Sequence, residues 1–186
     1  MVRIDRVTTG GGDLGATSLG DGRRVAKDHV RIEALGALDE ANAAIGMVRI
    51  YTAGTEDSYL AAIQNDLFDL GADLAVPGTA ADRLRIAATQ VARLEDEVTA
   101  MNAELPPLAS FVLPGGAPGA AAAHMARAIT RRAERRVVAL AAQEPVNAQT
   151  IRYLNRLSDH LFVLARRLSS EAGDVLWSPG ATRAET

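Results

Sequence analysis

Between Asp28 and Tyr51 the sequence DHVRIEALGALDEANAAIGMVRIY places apolar side chains at Ile32, Leu35, Leu38, Ala41, Ile45 and Val48. Steps of three and four residues return a side chain to one face of a helix, so this stretch predicts a helix with one buried stripe. The same period recurs in four further stretches, each closed by residues that stop a helix. TAGTED separates the first helix from a second over about 57–75, which VPGT ends. A third is expected near 80–103, with Leu84, Ala87, Val91, Leu94 and Val98 on its apolar face. The strongest break is ELPPLASFVLPGGAPG, residues 104–119, whose four prolines and three glycines exclude a helix. It reads as a connection with an apolar centre at Phe111, Val112 and Leu113. A fourth helix runs over about 120–142, and Glu144-Pro145 parts it from a fifth over about 147–170. On the fifth, Tyr153, Leu154, Leu157, Leu161 and Phe162 can face a core, while Asn155, Arg156 and Asp159 lie mostly off it.

Five helices joined mostly by short loops predict one all-α bundle. The chain divides into a glycine-rich loop (1–27), the bundle (28–171) and a tail (172–186) expected to be partly disordered, all within one domain over 1–186. Hydrophobic residues make up 48% of the chain, enough for a sizeable core, yet only three Phe, three Tyr and one Trp occur, which disfavours sheet. There is no cysteine, so disulfides and cysteine-ligated zinc are excluded. No apolar run approaches the length of a membrane span and no signal-like segment opens the chain, so a cytoplasmic protein is expected. A net charge of −3 argues against nucleic acid. Of twenty basic residues only Lys27 is lysine. A genome that favours arginine codons explains the bias, and it makes the one retained lysine a candidate for a site preferring a compact ammonium.

Three segments carry chemical potential. In RAITRRAERRVVAL, residues 127–140, Arg127, Arg131 and Arg135 form one helical stripe, with Arg132 and Arg136 beside it. Like charges at i,i+4 cost a helix roughly 0.2–0.5 kcal/mol per pair, so the cluster needs a compensating anion. The stripe spans about 12 Å, the reach of an extended triphosphate, and guanidinium groups match phosphate oxygens. A solvated basic face, or pairing with acids of neighbouring helices, accounts for it equally well. The loop TTGGGDLGATSL can present backbone amides and hydroxyls to phosphate, or be merely flexible; it lacks the Gly-Lys-Ser/Thr ending of a Walker A loop. In RYLNRLSDHLF, Asn155 can hydrogen-bond a nucleotide or simply be exposed. His29, His124 and His160 fall on three helices without metal-ligand spacing, and no nucleophile motif is present.

Taken in order, TTGGGDLGATSL, RVAKDHVRIEALGALDEANAAIG, FVLPGG, RAITRRAERRVVAL and RYLNRLSDHLFVLAR resemble the PduO-type ATP:cob(I)alamin adenosyltransferases over about residues 4–170. The resemblance implies a ferritin-like five-helix bundle that assembles as a homotrimer, with ATP and cobalamin in clefts between subunits. It implies transfer of the 5′-deoxyadenosyl group of ATP to cob(I)alamin, with release of tripolyphosphate and with Mg²⁺ accompanying ATP. Thr9, Gly10, Gly11 and Gly12 match the start of the family's ATP loop, and Thr17 and Ser18 its second part. Lys27 matches a phosphate-contacting lysine. Arg131, Arg132, Glu134 and Arg135 match the helical ATP segment, and Asn155 an ATP-binding asparagine. Arg127 and Asp39 match an intersubunit salt bridge near the corrin. Phe111 matches the aromatic that closes the lower corrin face and favours four-coordinate cob(II)alamin; on its own, a Pro/Gly-bounded Phe reads as a core plug. The family's Thr-Arg-Thr-Gly-Asp loop departs here to Thr9-Gly10-Gly11-Gly12-Asp13, so a basic residue and a threonine are missing and backbone amides are left to serve. The resemblance leaves room for a reductase and an adenosylcobalamin-dependent enzyme as partners. A catalytically inactive nucleotide-binding regulator and a cofactor-delivery module compete with it.

Overall fold

A computed structural model describes residues 8, 10–78, 83–169 and 173–183. Five helices dominate: α1 (Val30–Arg49), α2 (Gly54–Ala75), α3 (Ala88–Asn102), α4 (Pro118–Ala141) and α5 (Ala148–Leu168). Side by side the principal contacts run α2–α1–α4–α5–α3. Polar contacts from α2 to α3 and α5 draw the ends of that row together. Asp66 of α2 pairs with Arg93 of α3, accepts from Gln90 Nε2 at 2.8 Å, and accepts from the buried Tyr153 hydroxyl of α5 at 2.8 Å. Burial, reinforced by the Asp66 carboxylate, pushes Tyr153 well above the ordinary phenol range, so it stays a donor.

The core follows the sequence period. Leu38, Ala41, Ile45 and Val48 of α1 are buried, as are Tyr153, Leu154, Leu157 and Leu161 of α5. Small residues, Ala34, Ala37 and Ala41 against Ala123, Ala126 and Ala133, are buried on α1 and α4 and let those two backbones pack closely. Helix starts are capped locally. His29 Nδ1 accepts from Arg31 N at 3.2 Å, Asn147 Oδ1 accepts from Gln149 N at 3.0 Å, and Pro118 occupies the first turn of α4.

One expectation needs correction. The third helix begins at Ala88, not near 80. Asp73 accepts from Ile86 N at 2.9 Å and from Arg85 Nη1 at 2.8 Å, holding that strand of chain extended. Ile86 is therefore the buried residue there, whereas Leu84 is 57% exposed. Within the tail, residues 173–177 pair with the connection between α3 and α4. Val112 bridges Leu176, Leu113 N donates to Val175 O at 2.8 Å, and Trp177 N donates to Phe111 O at 2.7 Å. A residue of α5 explains the pairing: Arg166, almost fully buried, donates to Asp174 Oδ2 at 2.9 Å and to Pro106 O at 2.6 Å, clamping loop and tail together. Among the described residues, no helix is long and apolar enough to cross a membrane.

Candidate active site

The glycine-rich loop is built as a hairpin. Strands β1 (Ala16–Ser18) and β2 (Arg24–Ala26) pair antiparallel with Thr17 opposite Val25. Gly15, at φ 76°, turns the chain so that its carbonyl accepts from Lys27 N at 2.9 Å. This brings Lys27 back onto the loop. A Cβ placed on Gly12 would lie 2.9 Å from Lys27 Nζ, so the missing side chain makes room for the ammonium. Lys27 and Gly12, fifteen positions apart in sequence, thus form one feature. Gly10 and Gly11 lie beside it and are exposed. Thr9 lies outside the described residues. Thr17 and Ser18 point to opposite faces of their strand, as consecutive strand residues must. Arg24, which sequence reasoning passed over, ties the loop: it donates to Gly11 O at 2.8 Å, Ala16 O at 3.2 Å and Ser18 Oγ at 3.4 Å. Its three acceptors come together only once the hairpin register is set. The hairpin is anchored on the bundle by Gly20 N donating to Ala75 O at 2.8 Å and by buried Leu19.

The arginine cluster of α4 divides in two. Arg132 pairs with Glu40 and Arg136 lies 3.8 Å from Glu33, both acids of the antiparallel α1. These two arginines satisfy the pairing alternative. Arg127, Arg131 and Arg135, the other stripe, have no carboxylate within ion-pair distance among the described residues. Arg131 and Arg135 are exposed, and Arg135 Nη1 donates only to Arg131 O, at 3.1 Å. Arg127 is half-buried, with its Nε shielded from solvent and lacking an acceptor. Burial, then the Arg131 charge, lowers its pKa, although a guanidinium stays charged in protein. His124, one turn earlier and buried, is shifted down by desolvation and then by Arg127, so it adds no second cation there near neutral pH. On the side of α4 that faces α5, away from Arg132 and Arg136, Glu134 accepts from Asn155 Nδ2 at 3.0 Å, joining two of the expected site residues.

Because Glu33 faces Arg136 and Glu40 faces Arg132, the start of α1 lies at the Arg135–Arg136 end of α4. The loop that feeds α1 enters at that end, and Arg127 stands nine residues before Arg136, near the middle of α4. Asp39 is exposed in a groove of about 330 Å³ between α1 and α2, lined also by Asn42, Gln64, Asn65 and Phe68. One subunit does not bring Asp39 to Arg127. Phe111 is 77% exposed, which overturns the core-plug alternative; its ring packs on Trp177, with centroids 6.0 Å apart. Trp177 gave no signal in sequence beyond being the one tryptophan.

Arg31 also escaped notice, although it stands three residues before Ala34 and seven before Leu38, on the buried face of α1. It is 1% exposed and donates to Glu144 Oε2 at 2.6 Å and to Leu74 O at 2.6 Å, fixing the start of α1, and so the site's Lys27, against α2 and the α4–α5 turn. Glu144→Ala strands that buried guanidinium and is expected to cost about 3–5 kcal/mol in urea unfolding. A loss below about 1 kcal/mol, the scale of an exposed pair, would mean that the Leu74 carbonyl suffices.

A family model for cobalamin adenosyltransferase matches residues 7–168, which takes in the hairpin and all five helices. The chain is 49% identical over 179 residues to a cobalamin adenosyltransferase of Cupriavidus metallidurans, with 94% of this chain and 95% of that one covered. It is 47% identical over 191 residues to a corrinoid adenosyltransferase of Mycobacterium bovis, with 98% and 97% covered. Among solved structures it matches a Phe-to-Ala variant of the PduO-type ATP:corrinoid adenosyltransferase from Lactobacillus reuteri complexed with cobalamin and ATP. That match has a TM-score of 0.87 at 32% identity, covering 92% of this chain and 99% of the other. On the family model that spans the hairpin and bundle and on relatives at 47–49% identity over nearly the whole chain, the protein belongs to the cobalamin adenosyltransferase family.

Proposed function

We propose that the protein transfers the 5′-deoxyadenosyl group of ATP to cob(I)alamin, forming adenosylcobalamin and tripolyphosphate. The observation that carries this reading is the stripe of Arg131 and Arg135, left without carboxylate partners while their neighbours on α4 are paired. The substrate's cobalt(I) supplies an electron pair to C5′ as the C5′–O bond breaks, and the departing triphosphate takes that bond's pair. Charge therefore grows on phosphate oxygens in the transition state, and fixed guanidinium groups stabilise it there. Lys27, seated against Gly12, and the exposed amides of Gly10 and Gly11 bind the phosphates from the loop side. Nothing is deprotonated, so the step needs no general base. Among the described residues no cluster of three or more acids or histidines could cage a metal. That fits a Mg²⁺ that arrives on ATP, held by phosphate oxygens and water.

Arg127 and Asp39 stand apart within a subunit, and an intersubunit pair in a homotrimer gives each a partner of opposite charge. Phe111, exposed at the loop tip, then closes the lower corrin face. The test is an absorbance assay with ATP, Mg²⁺ and chemically reduced cobalamin, run on protein sized by sedimentation. A shift to the adenosylcobalamin spectrum by a trimer is the expected result. ATP binding without any cobalt–carbon bond formation would point to a regulator instead, and a fully active monomer would remove the interface.

A further inference from the structure

Residues 10–15 form two overlapping turns, closed by Asp13 N donating to Gly10 O at 3.3 Å and by Gly15 N donating to Gly12 O at 3.1 Å. Gly11 and Gly12 are the central residues of the first. The peptide between them is the one whose rotation by about half a turn interconverts turn types I and II. With no side chain at either place, sterics leave both forms open. The chain keeps a form in which Gly12 lacks the positive φ that type II demands there. A contact from β2 favours it. Arg24 Nη2 donates to Gly11 O, the carbonyl of that peptide, at 2.8 Å and to Ala16 O of β1 at 3.2 Å, so the guanidinium ties the turn to the strand. Arg24 is exposed and has no carboxylate within ion-pair distance among the described residues, so no acid competes for it.

A trans peptide points its N–H opposite its C=O. Holding Gly11 O toward Arg24 therefore turns the Gly12 N–H to the other side. Neither Gly11 N nor Gly12 N has an acceptor among the described residues, and both glycines are at least partly exposed. Gly12 is also the residue against which Lys27 Nζ is seated.

We propose that Arg24 is a positioning residue for the triphosphate: its grip on Gly11 O keeps the Gly12 amide presented, beside the Lys27 ammonium, as a donor to a phosphate oxygen. The inference rests on the ATP reading above and adds to it the residue that orders the loop. Arg24 itself touches no phosphate. A flipped peptide would offer the anion the Gly11 carbonyl, an acceptor, in place of the amide. A run of three glycines is costly to order, and Arg24 removes part of that cost from the binding step.

Arg24→Met and Arg24→Lys test this, reading KM for ATP and for cobalamin, kcat, and the calorimetric Kd of Mg²⁺-tripolyphosphate, which carries phosphates without the nucleoside. Arg24→Met is expected to weaken ATP and tripolyphosphate alike by about tenfold, the factor that follows if the presenting form falls to a tenth of the population. At saturating ATP kcat should hold, as should KM for cobalamin, because only the binding-competent fraction has changed. Arg24→Lys keeps the charge but lacks the planar fork that reaches Gly11, Ala16 and Ser18 together, so it should lose nearly as much. Melting temperature should stay put, since Gly20 and Leu19 anchor the hairpin independently. Full affinity in Arg24→Lys beside a loss in Arg24→Met would mean that charge alone matters, and would overturn the proposal. So would full affinity in both, or equal losses for ATP and cobalamin with a lowered melting temperature. Wild-type protein that binds neither ATP nor tripolyphosphate would fell the ATP reading itself and take the proposal with it.

Discussion

Arg131→Ala and Arg135→Ala are each expected to lower kcat by about 10²–10³-fold, the scale on which a preorganised donor to a developing oxyanion acts. The reason lies in the division of α4. Arg132 and Arg136 already neutralise Glu40 and Glu33, so their charge is partly spent within the subunit. Arg131 and Arg135 face solvent without a carboxylate and are free to meet an anion whose charge grows during the reaction. Their removal should leave melting temperature and assembly intact, because neither side chain holds another helix. Single-turnover adenosylation with saturating ATP is the measurement. A raised KM for ATP with unchanged kcat would mean that the two arginines bind ground state and transition state alike. Normal turnover in Arg131→Ala would remove the triphosphate role altogether.

Phe111→Ala is expected to slow conversion of bound cob(II)alamin to the four-coordinate state by about 10–100-fold, corresponding to the 1.5–3 kcal/mol of one aromatic face against apolar surface. ATP affinity and melting temperature should barely move. Phe111 is 77% exposed and contributes to the subunit chiefly through contact with Trp177, so it has little stability to lose. The absorption and paramagnetic spectra of cob(II)alamin bound with ATP read the first quantity, and ATP titration the second. Equal losses in both, with a lower melting temperature, would instead mark Phe111 as a packing residue for the loop.

What the sequence made legible was whatever period or punctuation records. Ile45, Val48, Leu157 and Leu161 announced their burial through spacing, and Pro106, Pro107 and Pro114 announced the break between α3 and α4. The α3 start was misplaced because helical spacing continues through Leu84 and Ala87. The carboxylate of Asp73, more than ten residues upstream, outcompetes that local preference by capturing the Ile86 amide. Candidate residues of the site could be named one by one from the sequence, but their grouping could not. Two stripes of arginine look alike in sequence, and only the register of α4 against α1 tells the paired from the unpaired. The meeting of Gly12 with Lys27, and of Phe111 with Trp177, depends on a hairpin and a bridge that no local pattern encodes.

The clamp of Arg166 has a consequence for how defective alleles of this gene should be interpreted. A stop codon just ahead of Asp174 leaves all five helices encoded, so by the criterion of fold the product would pass for intact. It would nevertheless lose the carboxylate that neutralises the Arg166 guanidinium and the backbone partners of Phe111 and Leu113. The damage would therefore surface more than sixty residues away from the lesion, in the loop that carries Phe111. Such an allele would be scored as a chemical defect of the corrin side, although no residue assigned to that side had been changed.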